Sequence, residues 1–372
     1  MTKTVLISGA GIAGTTLAWW LARCGFAPTV VERADGTRSS GSPVDVEGLS
    51  FGIVREMGLL PALREAATQV REMTLIDEMG RPITSLPMGV FTNPDEHIEL
   101  PRNDLARLLY EAGRDRAEYI FGDQIAALTQ NGAAVEIRFA SGVERTFDLV
   151  VGADGLHSSV RRLAFGPEDQ FVKPLGIYVA TLPLPGEHLD PTRVLLYNRP
   201  GRTLALHPAR GLGGVAFIFR AAITGFDHRD DAQHLAMLER AYADMGWRAS
   251  EFLAAARAAP DLYFDAVSRV VIDRWSNGQV TLVGDAASCV SLFGGGTGLA
   301  IAGARILAEE LASGSDHAAA FARYETRHRQ AVMPRQRGMG LVSGLVVPST
   351  ALGIALRNTG VRLVSLLTRL KL

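Results

Sequence analysis

The chain has 372 residues, 47% hydrophobic and 21% charged, and its 38 Lys and Arg nearly balance 39 Asp and Glu for a formal net charge of -1. That length suffices for two or three domains with large cores, and the near-neutral balance argues against nucleic acid as a main partner. The two cysteines, Cys24 and Cys289, lie far apart and form no CxxC, so neither a disulfide framework nor a metal site is expected.

A strand begins at once with Thr4-Val-Leu-Ile-Ser8, no secretory signal is read there, and a cytoplasmic enzyme is expected. Gly9-Ala-Gly11-Ile-Ala13-Gly14 follows, then a helix over Thr15 to Arg23 and a second strand, Thr29-Val-Val-Glu32. This is a complete strand, Gly-x-Gly-x-x-Gly, helix, strand, acid unit, which points to a dinucleotide site. Gly9 serves the tight turn, Gly11 the backbone approach to a pyrophosphate, and Gly14 the helix–strand packing. Glu32 stands where a ribose-binding acid belongs. The motif alone does not choose between NAD and FAD.

Arg33 to Asp45 is polar and rich in turn residues, so it reads as a loop in which Arg38 and Asp45 stand out. Leu49 to Met57 reads as a helix that Gly58 ends. Glu72 to Leu100 alternates apolar and polar residues around Gly80-Arg81-Pro82, as an antiparallel hairpin does. Pro101-Arg102-Asn103-Asp104 then starts a helix over Leu105 to Arg114, with Asn103 or Asp104 as its cap. Arg102 could meet a phosphate or sugar edge there, or equally pair with local acids. Glu118 to Arg138 gives two strand-like runs, and Thr146 to Val151 a third that ends in Gly152-Ala-Asp154-Gly155. His157, in the basic helix that follows, reads as a capping or solvated histidine.

Lys173 to Ile223 is β-rich and punctuated by Pro and Gly, which predicts an antiparallel sheet inserted in an α/β domain. Tyr178, His207, Phe217 and Arg220 lie on these strands and are candidates for facing a substrate; strand register decides which do. Asp230 to Ala259 is helical, and Ala266 to Ile272 returns to strand. Val280 to Val283 is a buried strand running into Gly284-Asp285, with Gly294, Gly295, Gly296, Thr297 and Gly298 before a helix over Leu299 to Leu311. Glycines there admit a ligand to backbone N–H groups, and Asp285, accepting only, suits sugar-like hydroxyls. Three strands, before Gly9, Asp154 and Asp285, thus end in glycine and polar groups, as though converging on one extended ligand. Gly314 to Arg337 reads as an arginine-rich helix. The last stretch, Met339 to Leu372, reads as amphipathic helices closing over the rest, with peripheral membrane contact through Val361 to Leu372 as the lesser alternative.

GAGIAG with Glu32-Arg33, VVGADGLHSSVRR and VTLVGDAA with its glycines together resemble the FAD-dependent aromatic hydroxylases. These single-component flavin monooxygenases include para-hydroxybenzoate hydroxylase-like and tetracycline-inactivating enzymes; PRNDLARLL is a weaker shared element. The resemblance implies an α/β fold (α+β overall) with a Rossmann-like FAD-binding domain, an inserted antiparallel β-sheet substrate domain and C-terminal helices. The FAD domain would comprise residues 1–71, 100–168 and 268–337, the substrate domain 72–99 and 169–267, and the helical region 338–372. By the same resemblance, Gly9, Gly11, Ala13 and Gly14 line the pyrophosphate, Glu32 binds the adenosine ribose and Arg33 lies near the adenine. Arg102 meets the ribityl–phosphate part, Asp154 the pyrophosphate or the NADPH approach, and Asp285 the ribityl chain. Gly295, Gly296, Thr297 and Gly298 lie beneath the isoalloxazine edge, with Arg38, Asp45 and Phe293 close to the flavin. The chain departs from the family at Ser288, at Ser291-Leu292-Phe293 and at Gly298-Leu299-Ala300.

The implied reaction is hydroxylation of an aromatic or polyketide-like small molecule by a flavin C4a-hydroperoxide, with NADPH or NADH and O2 as co-substrates and no obligatory catalytic side chain. The alternatives are a halogenase or reductase of the same fold, and a redox-silent binder of an aromatic ligand. No Trp-x-Trp-x-Ile-Pro motif surrounds any of the four tryptophans, which weighs against the halogenase. The sequence leaves the oligomeric state open.

Overall fold

The computed structural model describes residues 2–36, 42–90, 92–185, 188–208, 213–259, 262–292, 295–314 and 316–369. Arg38 and Phe293, both expected near the flavin, lie outside these residues, as does Gly294. Among the described residues, eighteen strands (β1–β18) and eleven α-helices (α1–α11) follow one another along the chain.

The first sheet has the order β17-β18-β11-β1-β2-β7. Its strands are β1 (Thr4–Ser8), β2 (Ala27–Glu32), β7 (Glu118–Phe121), β11 (Leu149–Gly152), β17 (Ser276–Asn277) and β18 (Val280–Leu282). All neighbours pair in parallel except β17 with β18. Val5, Leu6, Ile7, Val150, Val280 and Leu282 are fully buried, as parallel strands covered on both faces require. Helix α1 (Ile12–Arg23) is buried from Ile12 to Leu21, and α9 (Gly296–Ala312) packs along it.

A second, seven-stranded sheet has the order β16-β12-β15-β14-β13-β4-β5. Its strands are β4 (Glu72–Ile76), β5 (Pro82–Pro87), β12 (Val172–Leu184), β13 (Arg193–Arg199), β14 (Arg202–His207), β15 (Gly213–Arg220) and β16 (Tyr263–Val270). The expected hairpin at Gly80 is present, with Gly80 at φ 75. An all-antiparallel sheet was expected, but the hairpin joins through β4 lying parallel to β13, Val194 beside Met73. Side chains alternate across this sheet. Tyr178, Ala180, Leu182, Phe217 and Phe219 share a core with α6 (Asp231–Tyr242) and α7 (Ala249–Ala258); Ile177, Val179 and Ile218 pack into the core of the first sheet.

Two smaller sheets complete the fold. Strand β3 (Pro43–Glu47) pairs antiparallel with β6 (His97–Pro101), and β8 (Ile125–Gln130), β9 (Val135–Phe139) and β10 (Glu144–Phe147) form a three-stranded sheet. The run expected over Thr146 to Val151 is thus two strands of different sheets, separated at Asp148, whose carboxylate accepts the Thr4 N–H at 2.7 Å. Helix α4 (Arg102–Gly113) starts earlier than expected, with Pro101 at its cap position and no side-chain cap.

The arginine-rich helix α10 (His317–Val346) continues past the expected end at Arg337, and α11 (Ala351–Arg369) leaves it at 97°. The corner is fixed to the second sheet by polar bonds. Arg220 donates to the Val347 and Ser343 carbonyls at 2.8 and 3.1 Å, Thr203 Oγ1 to the Val346 carbonyl at 2.7 Å, and the Gly201 N–H to the Pro348 carbonyl at 2.7 Å. No single described helix is long and apolar enough to cross a membrane.

Candidate functional site

The carboxyl ends of β1, β11 and β18 stand level: Ser8 pairs with Gly152, and Gly152 with Leu282. The turns after them touch backbone to backbone. A Cβ on Gly9 (φ +105) would lie 2.6 Å from the Ala153 carbonyl oxygen, and one on Gly14 only 1.9 Å from the Gly9 oxygen. Gly284 (φ +64) presses likewise against Ala13, whose Cβ is 2.8 Å from the position a Gly284 Cβ would take. Any side chain at these places would push the three turns apart. Gly11 differs, for among the described residues nothing lies within 4 Å of its Cβ position.

Gly11 is also the N-cap of α1, and Gly295, in the left-handed region at φ 65, is the N-cap of α9; neither helix start has a side-chain cap. Both therefore keep unsatisfied N–H groups and partial positive charge at their mouths. Thr297 and Gly298 lie in the first turn of α9, and a Cβ on Gly296 would sit 3.7 Å from Asp285 Oδ1.

Glu32 ties the first turn together. Its Oε2 accepts the Ala10 N–H at 2.9 Å and its Oε1 the Ala34 N–H at 3.0 Å. Each oxygen keeps a lone pair for a further donor. Arg33 is exposed beside it.

Asp154 is used otherwise. It accepts from Ser158 Oγ, from Ser159 Oγ at 3.0 Å, from the Val160 N–H at 3.1 Å and from Ser8 Oγ at 3.4 Å. It thereby holds the start of α5 (Ser159–Ala164) against β1, which leaves it little capacity for a ligand. Next to it Arg161, fully buried, donates to the carbonyls of Ala286 and Leu156 at 3.1 and 2.6 Å, joining the second and third turns.

Asp285 and Arg102 lie close enough to interact electrostatically. Burial raises the Asp285 carboxyl, and the Arg102 guanidinium and Cys289 thiol oppose that rise. The same guanidinium opposes the burial-driven rise of the Tyr263 hydroxyl. Arg102 is half-buried, yet its guanidinium has no hydrogen bond or ion pair among the described residues. A guanidinium that spends none of its donors on protein groups can receive an anion through its planar fork.

Of the candidates on the inserted strands, two point away from this cleft. Phe217 is fully buried edge-on to Tyr242, and Tyr178 packs on Phe219, Phe226 and Phe264 on the helix-covered face. Arg220 is occupied by the α10–α11 corner. His207 is on the other face, its Nε2 3.2 Å from Glu99 Oε1. Glu99 also accepts from Thr68 Oγ1; burial raises its carboxyl, but the His207 and Thr68 bonds bring it below its ordinary value. Asp45, opposite Glu99 in the β3–β6 ribbon, bonds His97 Nε2 at 2.8 Å and raises that imidazole. A cavity of about 550 Å³ opens beside this ribbon, lined by Thr68, Arg71, Met88, His97 and Glu99 among others.

Sequence reasoning singled out Asp45 and His207 but missed their partners His97 and Glu99, and it missed a second group. His157 is neither a cap nor free. Its Nδ1 lies 2.9 Å from Glu168 Oε1, its Nε2 makes a 3.4 Å charge contact with Asp265 without hydrogen-bond alignment, and its ring stacks on His228 at 3.7 Å. Burial opposes its charge, but the two carboxylates prevail and raise it to about 9. The i, i+2 spacing of His97 and Glu99, between buried Ile98 and Leu100, was the available signal for the ribbon. Nothing local linked His157 to Asp265.

Comparison with known proteins agrees with this architecture. The FAD binding domain family profile matches residues 2–335. An uncharacterized protein of Mycobacterium tuberculosis (strain ATCC 25618 / H37Rv) is 41% identical over 357 residues, covering 92% of this chain and 93% of that one. A flavin-dependent monooxygenase of Legionella longbeachae serogroup 1 (strain NSW150) is 31% identical over 342 residues, covering 90% and 87%. The crystal structure of tetracycline destructase Tet(51) superposes with a TM-score of 0.86 at 30% identity, covering 97% of this chain and 96% of that one. The level strand ends, the glycine turns and these likenesses place the chain in the FAD binding domain family, as an FAD-dependent monooxygenase of the aromatic-hydroxylase type.

Proposed function

We propose that the protein hydroxylates an aromatic or polyketide-like small molecule, using NADPH or NADH and O2. The observation that supports the cofactor part of the reading is the Arg102 guanidinium coupled to Asp285, whose Oδ1 lies 3.7 Å from the Cβ position of Gly296 at the start of α9. The donor set there suits FAD. Gly11 and the first turn of α1 offer N–H groups to a pyrophosphate, and Glu32, already holding the loop, has acceptor capacity for a ribose hydroxyl. Arg102 would meet the phosphate or ribityl part, and Asp285 would accept from ribityl hydroxyls. The start of α9, Gly295 to Gly298, would supply positive potential to the pyrimidine edge of the ring. When bound and reduced by NAD(P)H, FAD supplies activation of O2 at its C4a carbon.

The chain's own part is to bind, orient and exclude water. The substrate would lie between the β3–β6 ribbon and the face of the second sheet that carries Thr181 and His207; Ser42 Oγ donates to Thr181 Oγ1 there at 3.2 Å. Glu99 fixes the His207 ring, so a substrate hydroxyl or carbonyl would meet an imidazole held in one orientation. Asp154 supports the reading indirectly, by holding the second turn against β1. That tetracycline destructase Tet(51) is a structural relative favours a polycyclic, oxygen-rich substrate.

The test is NAD(P)H oxidation under air with a panel of phenols and polycyclic polyketides, with products scored by mass. The expected product gains one oxygen atom in step with substrate-stimulated NAD(P)H consumption. Protein that binds FAD and the compounds yet never adds oxygen would be a reductase or a silent binder.

A further inference from the structure

Helix α11 wears its apolar side outward. Leu352, Leu356, Leu363, Leu366 and Leu367 are 69%, 65%, 57%, 57% and 62% exposed. Their spacing places them on one stripe of the helix. The opposite side, with buried Ser365 and half-buried Ile354, Asn358 and Val361, lies against β5 and β13. In a helix that merely closes a core the leucines would point inward.

The helix has no freedom to turn them in. Arg357 donates to the Leu345 carbonyl at 3.2 Å and to Asn198 Oδ1 at 2.9 Å, and Asn198 Nδ2 donates to the Val346 carbonyl at 3.1 Å. With the Arg220, Thr203 and Gly201 bonds, these fix both the corner and the rotation of α11. Reversing the helix would leave several part-buried polar groups unpaired.

Charge names the occupant. From residue 351 to the end, 22 residues hold four Lys and Arg and no Asp or Glu, whereas the other 350 hold 34 basic and 39 acidic side chains. In α11, Arg362 is exposed on the flank of the stripe without an ion-pair partner among the described residues, and residues 369 and 371 add further positive charge. A two-fold contact with a second copy would bring two such acid-free helices together, with no carboxylate to compensate. A bilayer bearing anionic lipid satisfies both the leucines and the arginines.

We infer that α11 is an interfacial helix that lays its leucine stripe into the headgroup layer of an anionic membrane, holding the monooxygenase at the surface without crossing it. The inference does not depend on the identity of the substrate.

Flotation of full-length, FAD-loaded protein tests it, with vesicles of pure phosphatidylcholine and vesicles in which about a third is phosphatidylglycerol. The protein is expected to float with the anionic vesicles, little with the neutral ones, and less at high salt. Leu356→Asp with Leu363→Asp should lower the partition at least roughly tenfold, and Arg362→Glu several-fold, with flavin content and melting temperature unchanged. Absence of flotation with anionic vesicles, or equal flotation of the leucine variant, overturns the proposal. So does light scattering that finds a parent dimer which the leucine variant splits, because the stripe then belongs to a second copy.

Discussion

Glu32 holds the Ala10 N–H at 2.9 Å, so the acid at the end of β2 shapes the glycine turn at the end of β1 before any ligand arrives. Glu32→Ala should therefore lower both the stability of the FAD-free protein, by about 1–2 kcal/mol, and the affinity for FAD. Urea unfolding of the FAD-free protein and a fluorescence titration with FAD measure the two. A change in affinity alone would mean that the turn stands without its acid.

Arg102 makes the complementary case. Its guanidinium bonds no protein group among the described residues, so Arg102→Ala should leave the stability of the FAD-free protein within about 0.5 kcal/mol while weakening FAD roughly ten- to a hundredfold. Arg102→Lys should recover part of the affinity, as a point charge lacking the planar fork. Unchanged affinity in the alanine variant would remove Arg102 from the cofactor site.

His157 titrates in the alkaline range. Its native value, about 9, lies above the unfolded value near 6.5. The stability from its charge is thus fully present below pH ~6.5 and lost as pH rises through about 9. With solvent screening at this part-exposed site the loss should be about 1–2 kcal/mol, and His157→Gln should flatten it. Chemical denaturation of parent and variant at pH ~6 and ~10 is the measurement; parallel profiles would contradict the pairing with Glu168 and Asp265.

His328 has the opposite sign. It is fully buried among Trp275, Tyr324 and Gly303, neither ring nitrogen has a hydrogen-bond partner among the described residues, and burial lowers it to about 4. The unfolded chain takes up this proton first, so stability falls as pH drops from ~6.5 towards 4, by up to about 3 kcal/mol. His328→Leu should reduce the acid sensitivity, even if the shape change costs about 1–2 kcal/mol at neutral pH. The slope of stability against pH between ~4.5 and ~7 decides; an unaltered slope would show that other groups dominate.

What was legible in the sequence was local. Thr4–Ser8 and Val280–Leu282 carry the apolar runs of buried parallel strands, and Gly9, Gly14 and Gly284 mark turns where no side chain fits. What was not legible was set across long separations. Tyr178 and Phe217 looked like substrate-facing aromatics, but which face they occupy depends on how β12 and β15 pair with their neighbours, and their alternation alone is symmetric. The parallel meeting of β4 with β13 joins residues about 120 apart. His157 finds Asp265 108 positions away, and Arg220 finds the α10–α11 corner. Asp154 was expected at the pyrophosphate or the NADPH approach from the family resemblance, whereas in the structure it accepts from Ser158 and Ser159.

The level ends of β1, β11 and β18 also set an order of events during synthesis. The ribosome must deliver some 280 residues before Leu282 can dock beside Gly152. Until then the first two turns exist without their third wall, and Asp285 is still inside the exit tunnel. Capture of the prosthetic group is therefore expected late in synthesis, and a fragment ending before β18 should emerge colourless however well its first strands have formed.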